Sequence, residues 1–144
     1  NKFLALLTLI LDIGKGAVAV VIAEYFYPGL GLYAGGGAFL GHLYSIFLKF
    51  TGGKGVATFL GIMIALNPIT GLACCATWII SALLFRISSL SALIAALASP
   101  LFGYYFSEIN LAILAGVLCI LILLKHKDNI KRLLAGTEPK IGKK

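Results

Sequence analysis

Charge is what this chain has least of. Only 12% of its 144 residues are Asp, Glu, Lys or Arg, about half the share of an ordinary soluble domain. Acidic residues are the scarcest, five against twelve basic, leaving a formal net charge of +7. With 60% hydrophobic residues and a mean hydropathy of +1.04, this excludes a water-soluble globule and makes lipid the solvent. The three cysteines, Cys74, Cys75 and Cys119, lie in apolar runs and form no CxxC pair. They read as small packing residues, which excludes a disulfide scaffold. Two histidines and no HExxH or Cys/His set imply no metal site. A basic groove with interleaved aromatics is also missing, so no nucleic-acid partner is expected. The N-terminal run "FLALLTLILDIGKGAVAVVIA" contains Asp12 and Lys15 and lacks a basic leader beyond Lys2, so it reads as a span and not as a cleavable signal.

What is present is long apolar runs. Six can be marked off, at 3–23, 30–48, 55–66, 69–85, 88–106 and 109–124, separated by "EYFYPG", "KFTGGKG", "NPITG", "FRISS" and "SEIN". Five approach the roughly 20 residues a helix needs to cross the hydrocarbon. Backbone groups in lipid must be satisfied internally, and the runs show no period-2 alternation, so helices are expected and not a barrel. The third run, "VATFLGIMIALN", is too short to cross. It predicts a short or half-crossing helix that begins in the glycine turn and stops before Pro68. The whole of 1–144 reads as one transmembrane helical domain, with 125–144 as a basic tail.

With the N-terminus inside, alternate breaks sort the charges. One side collects Lys2, Lys49, Lys54, Arg86 and every basic residue from Lys125 onward; the other holds Glu24 and Glu108 and no Lys or Arg. Such a bias puts the basic loops and tail in the cytoplasm. The absence of an inverted repeat argues against many transporter architectures.

Five features have chemical potential. In "KFTGGKG", glycines let backbone N–H groups approach a ligand, a helix starts just beyond, and Lys54 adds a full charge. That is either an anion cradle or a cytoplasmic loop whose lysine obeys the charge rule. It is not a Walker A loop, because Gly55 follows Lys54 and Leu48 stands where the first glycine belongs. The tail "LLKHKDNIKRLLAGTEPK" places His126 and Asn129 on one helical face. With Lys125 and Arg132 it would hold a phosphate or polyol, or else bind anionic head groups. Asp12 and Lys15, three residues apart within a span, suit an ion pair, functional or structural. His42 would orient the glycine loop, act as a base, or simply pack. Arg86 with Ser88 and Ser89 forms a further cytoplasmic cluster, with helix capping as the plainer explanation.

Other signatures are missing. There is no G-x-S-x-G elbow, and Phe47 and Lys131, not aspartates, stand five residues after His42 and His126. That excludes the HxxxxD pattern of the common glycerolipid acyltransferases.

Two clusters together carry a resemblance. "GHLYSIFLKFTGGKGVATFLG" and the later "KHKDNIKRLLAGTE" resemble the central GH…FLKFxGGKGVAT and final H-x-x-NI-x-RL-x-x-GTE motifs of the bacterial PlsY family. "LILDIGKGAVAV", with Asp12, Lys15 and Gly16, is similar to that family's second span. The resemblance covers essentially the whole chain. It implies an all-α integral membrane protein, six helical segments of a seven-span bundle, monomeric and without cofactor, in the bacterial cytoplasmic (inner) membrane with cytoplasmic active-site loops. It implies transfer of a fatty acyl group from acyl phosphate to the 1-hydroxyl of glycerol 3-phosphate, giving lysophosphatidic acid and phosphate. By the same resemblance Gly52, Gly53, Lys54 and Gly55 form a phosphate-binding loop preceded by His42. His126, Asn129 and Glu138 match the final motif, and Arg86 and Ser88 fall in a substrate-contacting loop. The family also begins with a further span and an SGNxGxxNxxR-type loop, whereas this chain opens at "NKFLALL". The serine and arginine of that loop are therefore not among its residues, and the 144-residue chain alone is expected to be inactive or badly impaired.

Acyl phosphate is a mixed anhydride with a good leaving group, so no enzyme nucleophile is required. The task is to position two anions and stabilise developing charge. A substrate phosphate oxygen is expected to take the proton, with His126 as the alternative. Two other classes stay open on the residues alone: a small transporter or anion channel, and a non-catalytic lipid-binding subunit.

Overall fold

The computed structural model describes residues 2–45 and 52–142, the side chain of Lys2 aside. Lys49, the end of the expected 30–48 span, and Lys143 and Lys144 lie outside the described residues. Among the described residues seven helices follow in order: α1 Lys2–Phe26, α2 Gly31–Leu43, α3 Val56–Leu66, α4 Pro68–Phe85, α5 Ser88–Phe106, α6 Ile109–Lys125 and α7 Lys127–Leu134. Among the described residues there is no strand.

Local chemistry sets the breaks. After α1, the Glu24 carboxylate accepts the N–H groups of Gly29 at 2.9 Å and Gly31 at 3.0 Å. These bonds turn the chain and satisfy a donor at the start of α2. Between α3 and α4, Asn67 caps the next helix by accepting from the Thr70 N–H at 2.9 Å, with Pro68 in the first helical turn. Within α5, Pro100 has no N–H for the Ala96 carbonyl, and the Ser99 hydroxyl donates to that carbonyl instead at 2.8 Å.

Helices α1, α4 and α5 are long and apolar enough to cross a membrane; a fourth span is made if α6 and α7, bent by 67° at His126, count together. Helix α2 has 13 residues and α3 has 11, the latter as short as its sequence run predicts.

Helix α3 lies inside the bundle, against α1, α2, α4 and α6. Its Phe59, Ile62 and Met63 are at most 1% exposed. Close approach to α1 depends on glycine. A methyl group on Gly61 would lie 2.1 Å from the Ile13 carbonyl oxygen, and one on Gly16 2.8 Å from that of Thr58. Small residues that let backbones meet are how helices associate where no hydrophobic force separates protein from solvent. The periphery is apolar: Leu4, Leu11, Val18, Leu83, Ile113 and Leu124 are all exposed, as suits lipid contact. Tyr25, Phe26, Tyr27, Tyr104, Tyr105 and Phe106 are exposed at the ends of α1 and α5 that carry no Lys or Arg. They form the aromatic girdle expected of a membrane–water boundary.

Candidate active site

The glycine turn lies where α2 ends, α3 begins and α6 bends into α7. Gly55 caps α3 with φ +82°, a left-handed backbone that glycine adopts without penalty, and no side chain caps this helix start. Gly52 donates its N–H to the Leu43 carbonyl at 3.3 Å. The same carbonyl accepts from Lys125 Nζ at 3.0 Å, with the ammonium 4.3 Å from the centre of the Tyr44 ring. The end of α2, the loop and the end of α6 are thereby pinned together. Among the described residues, no acceptor takes the backbone N–H groups of Gly53, Lys54 or Gly55. Those donors and the positive end of α3 are free to meet an anion.

Around the loop is a cavity of about 680 Å³ with two kinds of lining. Asp12, His42, Lys54, Ser88, Ser89, His126, Asn129 and Glu138 are its polar lining, while Leu9, Ile13, Leu60, Cys75, Trp78 and Ile79 are its apolar lining. The polar lining is wired together. Lys54 Nζ donates to Asn129 Oδ1 at 2.6 Å, and Asn129 Nδ2 donates to Glu138 Oε1 at 2.6 Å. Ser89 Oγ donates to the same carboxylate oxygen at 2.5 Å, and Arg132 Nε to Oε2 at 2.6 Å. Burial alone would raise the Glu138 pKa. Hydrogen bonds from Ser89, Asn129 and Arg132, with the Arg132 charge, outweigh it and hold the carboxyl down at about 2.

His126 is 2% exposed, and its Nδ1 lies 2.8 Å from the Ile122 carbonyl. A carbonyl only accepts, so Nδ1 carries the hydrogen and Nε2 is left with a lone pair. His42 lies against Gly53 and contacts Lys15, which pairs with Asp12 at 2.6 Å.

Of the residues singled out from the sequence, Gly53, Lys54, Gly55, His42, Ser88, His126, Asn129 and Glu138 all line this one cavity. Gly52 is one residue behind, in the pinned part of the loop. Arg86 is elsewhere. Its backbone is left-handed at φ +57°, its carbonyl accepts the Ile141 N–H at 2.6 Å, and its Nη2 donates to the Ile141 carbonyl at 3.3 Å. It clasps the C-terminal strap that brings Glu138 to the cavity. The sequence grouped Ser89 with Arg86 and Ser88 but gave no sign that it meets Glu138. Trp78 and Cys75 look like ordinary span residues in the sequence, and only the packing reveals them as cavity wall.

A glycine loop with open backbone donors, beside apolar residues inside a helical membrane bundle, suits a ligand that joins an anionic group to an apolar chain. Similarity to known proteins narrows this. The family profile for glycerol-3-phosphate acyltransferase matches residues 1–136. A glycerol-3-phosphate acyltransferase of Dinoroseobacter shibae is 52% identical over all of this chain and 71% of its own length. One of Mesorhizobium japonicum is 51% identical over all of this chain and 74% of its own. Among solved structures, PlsY, an integral membrane glycerol 3-phosphate acyltransferase, superposes in its glycerol 3-phosphate form with a TM-score of 0.91 at 34% identity, covering 98% of this chain and 72% of that one. Its lysophosphatidic acid form gives the same TM-score. The chain belongs to the glycerol-3-phosphate acyltransferase family, and it is an integral membrane acyltransferase.

Proposed function

We propose that this protein transfers a fatty acyl group from acyl phosphate to the 1-hydroxyl of glycerol 3-phosphate, releasing lysophosphatidic acid and phosphate at the cytoplasmic face of a bacterial inner membrane. The observation that carries the reading is the mixed lining of the cavity, in which Lys54 and the glycine loop border the same space as Leu60 and Trp78. An acyl phosphate has that polarity: a dianionic head on an alkyl chain. The glycine loop and Lys54 hold phosphate and stabilise charge growing on it as it departs. Asn129 holds Lys54 in place. The hydroxyl oxygen bonds to the acyl carbon, the carbon–oxygen bond to phosphate breaks, and phosphate leaves with the electron pair. The proton passes to a phosphate oxygen, while His126 Nε2 accepts a hydrogen bond from glycerol 3-phosphate. Ser88, His42 and Glu138 complete the polar lining, and Arg86 acts from outside the cavity by fixing the strap that carries Glu138. The whole chain works as one domain, as a monomer, with 125–144 on the cytoplasmic side.

The test is product formation in lipid vesicles with acyl phosphate and glycerol 3-phosphate, scored for lysophosphatidic acid. It is run on this chain and on a fusion to the upstream span that the family resemblance implies. Lysophosphatidic acid from the fusion, abolished by Lys54→Ala, supports the reading. Acyl transfer from acyl-CoA or acyl carrier protein but not from acyl phosphate would sink it.

A further inference from the structure

Two histidines border the cavity, and their surroundings fix them differently. His126 Nδ1 faces the Ile122 carbonyl at 2.8 Å. A carbonyl cannot donate, so this ring carries its hydrogen on Nδ1 and presents a bare Nε2. His42 has the opposite neighbour, because its Nδ1 meets the Lys15 ammonium. An ammonium has three donors and no lone pair, so His42 Nδ1 must accept, and a neutral ring then carries its hydrogen on Nε2. Among the described residues the competing acceptor is Asp12 Oδ1, which lies 3.7 Å from His42 Nδ1, beyond hydrogen-bond range. It is itself occupied by Lys15 at 2.6 Å. His42 Nε2 borders the glycine loop so closely that a methyl on Gly53 would lie 2.6 Å from it.

We propose that Lys15 is a positioning residue that locks His42 as the Nε2–H tautomer, adding a side-chain donor to the backbone donors of the glycine loop, while His126 is locked as the opposite tautomer and supplies an acceptor. The cavity thus holds one histidine that recognises an anion and one that recognises a hydroxyl. Neither needs to be charged. The assignment of tautomers stands on geometry alone; the assignment of ligand groups rests on the acyl-transfer reading above.

Long-range proton–nitrogen correlation spectra of the chain in lipid nanodiscs, with histidine nitrogen-15 labelled, read each tautomer directly. The expected pattern is Nε2–H for His42 and Nδ1–H for His126. Lys15→Met removes the His42 preference, and Lys15→Arg, also donor-only, keeps it. Both histidines in one tautomer, or an unchanged His42 signal in Lys15→Met, overturns the assignment. The ligand half is tested by titrating His42→Gln and His42→Asn with glycerol 3-phosphate and with inorganic phosphate. The Gln amide reaches the place of Nε2 and the Asn amide that of Nδ1. His42→Gln should bind on the order of tenfold more tightly than His42→Asn, the worth of one hydrogen bond to a charged group. Equal binding by the two variants, with the tautomers as assigned, overturns the anion-donor role of His42 while leaving the acyl-transfer reading to its own assay.

Discussion

Lys54 and Asn129 stand 75 positions apart in the chain, yet Lys54 Nζ and Asn129 Oδ1 are 2.6 Å apart. One comes from the loop before α3 and the other from α7. Their contact joins the two recognisable motifs into a single polar wall. An ammonium held by a neutral amide keeps its full charge and its two remaining hydrogens for a ligand.

That contact gives the first prediction. Lys54→Ala should lower kcat/KM by about two to three powers of ten, the cost of losing a preorganised charge at the reacting group. Asn129→Ala should cost less, because the lysine remains but is free to wander. The double variant should lose less than the two single losses combined, since both act on one group. Steady-state kinetics on the four proteins, each carried in the fusion to the upstream span, test this, and additivity would separate the residues.

His126 is next. If a phosphate oxygen takes the proton, His126→Ala should raise KM for glycerol 3-phosphate on the order of tenfold and leave the shape of the pH–rate profile intact. Disappearance of a limb of that profile in the variant would instead make His126 the base.

Glu138 should make the strap acid-sensitive. Its carboxyl has an ordinary value of 4.5 and is held down at about 2 in the folded chain. A group lowered on folding binds its proton more readily in the loosened state, so its stabilising contribution is whole above about pH 5. It declines below that and is gone once the pH reaches about 2. Amide hydrogen exchange at 137–142 should therefore rise over that window. Glu138→Gln should start from lower protection and show little further change.

Arg86 separates backbone from side chain. Arg86→Ala keeps a left-handed residue with a Cβ, whereas Arg86→Gly relieves it. The glycine variant should be the more stable by about 1 kcal/mol. Both lose the guanidinium bond to Ile141, so both should release the strap to proteolysis more readily than the parent chain.

The α1–α3 crossing makes a prediction about stability alone. Gly61→Ala places a methyl 2.1 Å from a backbone oxygen, and overpacking of that kind costs about 1–3 kcal/mol. Gly14→Ala is the matched control, because a methyl there meets nothing within 4 Å. Thermal unfolding in detergent should rank Gly61→Ala well below Gly14→Ala.

Hydropathy made most helices legible, because a run of apolar residues ended by Gly, Pro or Asn has few other readings in lipid. The break at Asn67–Pro68 and the short helix after "GGKG" both follow from such local chemistry. Pairings across the bundle were not legible. Nothing in "KHKDNIKRLLAGTE" says that the chain bends 67° at His126, nor that Glu138 returns to meet Ser89 on α5. Those contacts depend on the packing of distant helices, which periodicity does not encode. Arg86 shows the limit clearly. Its charge marked it as part of a basic break between spans, but only the fold reveals that it grips backbone outside the cavity. The Asp12–Lys15 pair was foreseeable from its spacing, whereas its meeting with His42 was not.

Helix α3, enclosed by α1, α2, α4 and α6, faces protein where its neighbours face lipid. Its 11 residues are therefore not matched to the thickness of the bilayer. When lipid composition or temperature thins or thickens the membrane, the lipid-facing helices absorb the mismatch by tilting. The glycine loop at the head of α3 is carried by a part of the bundle that the membrane does not pull on directly. A membrane acyltransferase built this way keeps the geometry of its glycine loop insulated from changes in the thickness of the bilayer around it.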